Sequence, residues 1–374
     1  MVRPRKAVES LPKYHPPPEG RAGKLRLDFN ENTIGCAPQV VRMLRRALNA
    51  DWLTRYPEYE ESRQALAKYF GVSADELLFS NGVDDAIKLI CDTFVDTGDI
   101  LLIPAPTFSM YAFFQSVAGG RTTLVRYNED LRLPVEKILT ALTKRIRWIA
   151  LANPNNPTGT LMPKDDLRSI LRAAPQTLVL VDEAYFDFSG ETVLPWINRF
   201  PNLVVTRTFS KAFGLAALRL GFIFANSELL AMMRSAHGVY PVNSLALACA
   251  LEAVKQGDYV RRYAQAVRAS RTELCRALDA MGVPYAPSAA NFVFVRFGEQ
   301  APEIAHRLRE QGTLVRDWGY DPHLRDYLRI TVGSTVQTRL LIGQLKRHQH
   351  LMEKGDPSRA WREFATYSPT GYFA

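Results

Sequence analysis

The sequence predicts an α/β fold: a mainly parallel sheet covered by helices in a large domain, followed by a smaller α+β domain. Three observations carry this expectation. Between residues 77 and 225, short runs that are apolar on consecutive positions alternate with segments of helical period, the pattern of strands buried on both faces. Polar clusters follow those runs at 153–159, 182–185 and 208–211, where open parallel sheets place ligand-binding residues. After about residue 226 the pattern changes to a long helical stretch and then to strands of a different character, which marks a second, α+β unit.

The first run, LLF (77–79), precedes DDAIKLICDTFV (84–95), whose apolar residues recur at helical spacing. ILLIP (100–104), IRWIAL (146–151), LVLVD (178–182), LVVT (203–206) and GFIFA (221–225) supply further strands. Residues 244–281 read as one long helical stretch, and ANFVFVRF (290–297) alternates like a half-buried strand. A helix, TLVRDW (313–318), LRITVG (328–333) and a final helix complete the smaller domain, together with the N-terminal segment. The expected division is 1–45 for an N-terminal arm and part of the small domain, 46–240 for the large domain and 241–350 for the small C-terminal domain. Residues 351–374 form a C-terminal tail whose last part, DPSRAWREFATYSPTGYFA, is aromatic but has no clear period or role.

Composition narrows the function. With 374 residues, 47% of them hydrophobic and 23% charged, the chain has the make-up of a soluble globular protein that needs no staples. Cys36, Cys91, Cys249 and Cys275 are far apart and form no CxxC pair, which points to a cytoplasmic protein without disulfide framework or zinc site. No apolar run approaches a membrane span, and the basic N-terminus is followed by no apolar stretch. The net charge of +9 is spread among 38 acidic residues rather than gathered into a basic stripe, so nucleic acid is not the expected partner. Attraction of small anions such as phosphates and carboxylates is. The six histidines are scattered, and His348-Gln349-His350 falls in a basic, exposed helix end, so no metal is expected.

Four clusters carry chemistry. In RTFSKAFGLAALRLG (207–221), Lys211 and Arg219 stand among apolar residues. Lys211 is either an ordinary surface lysine or an amine positioned to attack a carbonyl. Thr208, Ser210 and Arg219 beside it are what a phosphate ester wants. In VDEAYFDF (181–188), Asp182 ends a buried strand; it is a helix cap, a structural ion-pair partner, or a carboxylate that keeps a pyridinium nitrogen protonated. Tyr185, three residues on, is placed to donate to a phenolate oxygen. NPNNPTG (153–159) is an irregular loop, in which Asn155 or Asn156 could reach the same oxygen. NGVDDAIKL (81–89) is a glycine turn into a helix, whose free N–H groups could bind phosphate.

Taken in order, these motifs resemble those of fold-type-I, pyridoxal-phosphate-dependent aminotransferases, and most nearly the histidinol-phosphate branch. The resemblance runs from LPKYHPP (11–17) and LDFNEN (27–32) through NPNNPTG, DEAYFDF, RTFSKAFGLAALRLG and VRDW to LRITVG. It implies a sheet of the seven-stranded type, pyridoxal 5′-phosphate as cofactor, and ping-pong transamination between an amino donor and 2-oxoglutarate. By the same resemblance Lys211 is the Schiff-base lysine, Asp182 the partner of the ring nitrogen, and Tyr185 and Asn156 the residues at the ring hydroxyl. Thr208, Ser210, Arg219 and the backbone of Val83 and Asp84 would hold the phosphate, and Phe108 would stack on the ring. Tyr56 would reach the neighbouring subunit's cofactor phosphate, making a homodimer part of the site. Arg329 would grip the substrate carboxylate, with Tyr14 and Arg316 at the substrate's anionic end. An aromatic-amino-acid aminotransferase would use the same residues, and a phosphate-recognising decarboxylase would share the fold. The sequence departs from the family at 30–38 (NENTIGCAP), which lacks two usual prolines, at Phe108 for tyrosine and at Asp85 for glutamate.

Overall fold

Two sheets organise the chain in the computed structural model, which describes residues 2–9, 11, 20–319, 321–355 and 360–361. The strands are β1 (Leu25–Leu27), β2 (Leu77–Ser80), β3 (Ile100–Ala105), β4 (Arg121–Arg126), β5 (Ile146–Ala152), β6 (Leu178–Asp182), β7 (Leu203–Thr208), β8 (Gly221–Phe224), β9 (Phe292–Arg296), β10 (Thr313–Asp317) and β11 (Tyr327–Thr331). The large sheet has seven strands in the order β2-β8-β7-β6-β5-β3-β4. Its neighbours from β7 to β4 are parallel, and β8 runs antiparallel to both β7 and β2. The apolar runs are explained by what covers them. Ile149, Val179, Val205 and Phe222 feed one hydrophobic cluster, while their chain neighbours Trp148, Leu180, Val204 and Ile223 feed another. Successive side chains leave opposite faces of a strand, so both faces need apolar residues.

The seventh strand, β4, carries no apolar run longer than two residues to mark it. Its sequence RTTLVR lies at the sheet edge with only Val125 buried, so half-exposed threonines and arginines hide its period. The stretch 244–281 is two helices, Ser244–Lys255 and Gly257–Met281, meeting at Gln256. Asn243 caps the first by accepting from the Ala246 N–H. The strand in ANFVFVRF is buried on both faces rather than half-buried, with Phe292 through Val295 all in the core. Its alternation is one of size, phenylalanine against valine, and not of polarity.

The small sheet has the order β1-β10-β11-β9, with β1 parallel to β10 and the other pairs antiparallel. The chain leaving β1 runs straight to the carboxyl ends of the large sheet's central strands, and the register there places Ala152 beside Asp182 and Asp182 beside Thr206. Among the described residues no helix is long and apolar enough to cross a membrane.

Candidate active site

The segment after β7 shows why a lysine stands in an apolar stretch. Phe209, Ala212, Phe213 and Leu215 are buried, and the rings of Phe209 and Phe213 stack at 3.8 Å. These residues pin the loop into the core and leave Ser210 and Lys211 facing a cavity of about 250 Å³. Gly214 turns the loop with φ of +71°, and a Cβ there would lie 2.8 Å from the backbone N of Cys36. Only glycine lets the lysine loop pack that closely against residues 35–36.

The cavity is lined by Lys211, Asp182, Tyr185, Asn156, Phe108, Val83, Asp84, Thr208, Ser210, Arg219 and Arg329, together with Phe29, Asn30, Ala152, Pro154 and Ala184. Lys211 Nζ donates to the Phe29 carbonyl at 3.0 Å. Burial, reinforced by the charge of Arg329, lowers the amine from its ordinary value to about 8. Asp182 ends β6 and accepts from Tyr111 Oη at 2.7 Å, from Thr206 Oγ1 at 3.1 Å and from the Ala184 N–H at 3.1 Å. Burial pushes its carboxyl up to about 6, against the pull of those three donors. Tyr185 is buried, and its Oη accepts from Asn30 Nδ2 at 2.8 Å.

The two asparagines of the NPNNPTG loop separate. Asn155 is fully buried and bonded to Thr107, Pro106 and Thr158, so it holds the loop. Asn156 faces the cavity and accepts from Arg329 Nη1 at 2.5 Å. Arg329 Nη2 donates to the Asp28 carbonyl at 2.7 Å.

At the other end, the helix Gly82–Phe94 points its first turn at the cavity through Val83 and Asp84. Thr208 Oγ1 and Ser210 Oγ lie 2.9 Å apart, and Arg219 Nη2 stands 3.3 Å from Asp84 Oδ2. Free backbone N–H groups, two hydroxyls and a guanidinium form an anion cradle. Gly82 has φ of +79°, and a Cβ on it would lie 2.5 Å from Arg219 Nη2.

Residues 22–345 match the family described as aminotransferase class I and II. The chain belongs to this family. A histidinol-phosphate aminotransferase from Caldanaerobacter subterraneus subsp. tengcongensis is 37% identical over 86% of this chain and 92% of its own length. Histidinol-phosphate aminotransferase 1 of Pseudomonas aeruginosa is 36% identical over 90% and 97%. The crystal structure of histidinol-phosphate aminotransferase from Sinorhizobium meliloti in complex with pyridoxal-5′-phosphate superposes with a TM-score of 0.85 at 27% identity, covering 94% of this chain and 98% of that one.

Not every residue expected in this aminotransferase's site lines the cavity. Tyr56 is 74% exposed and stacks on Tyr240 at 4.4 Å. Arg316 pairs across the β10–β11 ladder with Arg329. Tyr14 lies outside the described residues. His348 is buried, not exposed, and bonds Gln311 at 2.7 Å. The helix around it folds back on the Gln311 turn, which a local charge pattern does not reveal.

Several contributors escape sequence reasoning. The segment 28–32 crosses the aminotransferase's cavity: Asp28 meets Arg329, Phe29 meets Lys211, and Asn32 Nδ2 donates to the Ala212 carbonyl at 2.9 Å. Asn30, with φ of +56°, donates to Tyr185 and accepts from Thr331 Oγ1 at 3.1 Å. Its signal was the polar NEN run after LDF. Tyr111 and Thr206, both on Asp182, carry no local signal beyond a polar group in an apolar setting.

The cradle gives a direct expectation. Gly82→Ala forces a Cβ into the Arg219 guanidinium at a backbone angle that alanine resists, a strain of about 1 kcal/mol or more. The variant should bind a phosphate-bearing cofactor about tenfold more weakly, measured by titrating the apoprotein.

Proposed function

We propose that this aminotransferase holds pyridoxal 5′-phosphate in the cavity and exchanges amino groups between histidinol phosphate and 2-oxoglutarate. The observation that carries the reading is one cavity combining a lysine held at about 8, a buried carboxylate held at about 6, and an anion cradle opened by Gly82. That donor set fits the group. Thr208, Ser210, Arg219 and the backbone of Val83 and Asp84 would hold its phosphate. Asp182 would hold the ring nitrogen, Tyr185 and Asn156 the ring oxygen, and Phe108 a ring face.

When bound, the cofactor supplies an aldehyde and a protonated ring that accepts electrons from a substrate carbon. The chain supplies the rest. Lys211 Nζ is neutral above about pH 8, so it can take a proton from the substrate α-carbon and return it. Asp182 stays anionic above about pH 6 and so sustains a cation beside it. Arg329, with Arg316 opposite it, can pair with either a carboxylate or a phosphate through two parallel hydrogen bonds. One anion site therefore serves both donor and acceptor.

The names of the relatives support histidinol phosphate as donor. We further propose a homodimer in which the exposed Tyr56 reaches the neighbouring subunit's cofactor phosphate, with Tyr14 assisting at the substrate's anionic end. The four free cysteines fit a cytoplasmic enzyme.

The test is a donor panel with 2-oxoglutarate as acceptor. Histidinol phosphate should give a kcat/KM at least about 10²-fold above phenylalanine, tyrosine and histidine, which offer the arginines a singly charged carboxylate on the α-carbon instead of a more highly charged phosphate at the end of a CH2–O arm. Preference for an aromatic amino acid would overturn the donor. Loss of carbon dioxide without glutamate formation would overturn the reaction.

A further inference from the structure

The segment past the last helix carries Ala360 and Trp361, both buried. They lie beyond the stretch 22–345 that matches the family. The Ala360 carbonyl accepts from Tyr327 Oη at 2.9 Å. The Trp361 indole stacks on Tyr327 at 5.8 Å and 24°, and on Phe294 at 6.0 Å and 26°. Phe294 and Tyr327 themselves stack at 4.9 Å and 9°.

The register shows which face this covers. Phe294 lies opposite Arg329, and Arg316 lies opposite Arg329 on the other side. Directly opposed residues in antiparallel strands share a face, as do residues two apart such as Tyr327 and Arg329. The arginines and the Trp361 stack therefore sit on one face of the small sheet. Trp318 joins them: its ring meets Phe294 edge-on at 5.8 Å, and the guanidinium carbons of Arg329 and Arg316 stand 5.8 and 5.7 Å from its centre. Aromatic pairs at these separations attract one another beyond what their burial alone gives, and a guanidinium beside an indole is held by the ring's charge distribution.

We propose that Trp361 is a positioning residue for the substrate-anion site, closing an aromatic stack through Phe294 and Trp318 that sets where Arg329 and Arg316 stand. The C-terminal segment is then part of the substrate site's support. This rests on the reading of Arg329 as the residue that grips substrate anions.

The experiment uses the full-length holoenzyme with maleate, a dicarboxylate without an amino group, as probe in calorimetry. Trp361→Ala and Trp361→Leu should both bind maleate about tenfold more weakly, since small misplacements of a gripping group cost up to about a hundredfold. KM for 2-oxoglutarate should rise in step while kcat changes less than about twofold. Affinity for pyridoxal phosphate should stay at the wild-type value, and Trp361→Phe should restore maleate binding. Trp361→Leu keeps an apolar plug, so it tests the stack even if the alanine variant folds poorly. Wild-type maleate affinity in Trp361→Leu would overturn the proposal. So would parallel loss of maleate and cofactor affinity that phenylalanine does not restore, because that is a merely structural role. Arg329→Ala is the reference: if it loses maleate and Trp361→Leu does not, only this inference fails. If Arg329→Ala binds maleate normally, the anion-site reading fails with it.

Discussion

Lys211→Ala is expected to lower kcat/KM by about 10⁴-fold or more, the scale set by losing a positioned acid–base group that also anchors the reaction. No neighbour can replace it. Among the cavity's other cationic groups, Arg219 and Arg329 are guanidiniums that stay protonated, and the only other amines would have to come from outside the lining. The loop is held by the Phe209–Phe213 stack and by Gly214, so the variant should fold and keep the phosphate cradle. The pH response follows from the burial of the amine. Its pKa is lowered to about 8, so the neutral, nucleophilic fraction grows as pH rises and is nearly complete above 9. Capture of pyridoxal phosphate by the apoprotein should accelerate through pH 8, where an ordinary lysine would still be protonated. Stopped-flow absorbance of wild type against the alanine variant checks both statements.

Asp182→Asn should cost about 10²–10³-fold in kcat, the usual scale for removing one preorganised electrostatic partner. The side chain is isosteric: its one oxygen can still accept from Thr206 and the Ala184 N–H, and its amide can donate to Tyr111 Oη where the second carboxylate oxygen stood, so a loss of this size reports charge and not geometry. The sign of the pH effect is fixed by the raised pKa. Below about 6 the wild-type carboxyl is protonated and cannot support a cation beside it. Cofactor affinity should therefore fall as pH drops through 6 in the wild type and stay flat across that range in the asparagine variant. Equilibrium titration of the two apoproteins between pH 5 and 8 makes the comparison. A wild-type curve that is also flat would remove Asp182 from the role given to it.

How much of this could be read from residues alone depended on the length scale of the forces involved. The central strands were legible because burial on both faces demands apolar residues at consecutive positions. Asp182, Thr208 and Lys211 stood out because open parallel sheets gather ligand-binding residues directly after their strands, and the family resemblance chose among the roles that position leaves open. The edge strand β4 was not, since exposure removes the pressure that writes a pattern. The break at Gln256 was hidden because Gly257 is tolerated at a helix start and leaves the apolar period intact. The clamp made by residues 28–32 was out of reach for another reason. Asn30 bonds Thr331 and Asp28 bonds Arg329, contacts that only the pairing of β1 with the small sheet creates. Trp361 belongs to the same class: its tail has no period, and its place is set by two rings on β9 and β11.

The central claim is that the Lys211 amine is where this aminotransferase attaches its cofactor. Borohydride reduction of the loaded protein, proteolysis and mass analysis test it most directly. The phosphopyridoxyl mass should appear on the peptide that contains Lys211, and on no peptide from Lys211→Ala. A reduced, labelled peptide carrying any other lysine, or the same label surviving in the alanine variant, would contradict the account.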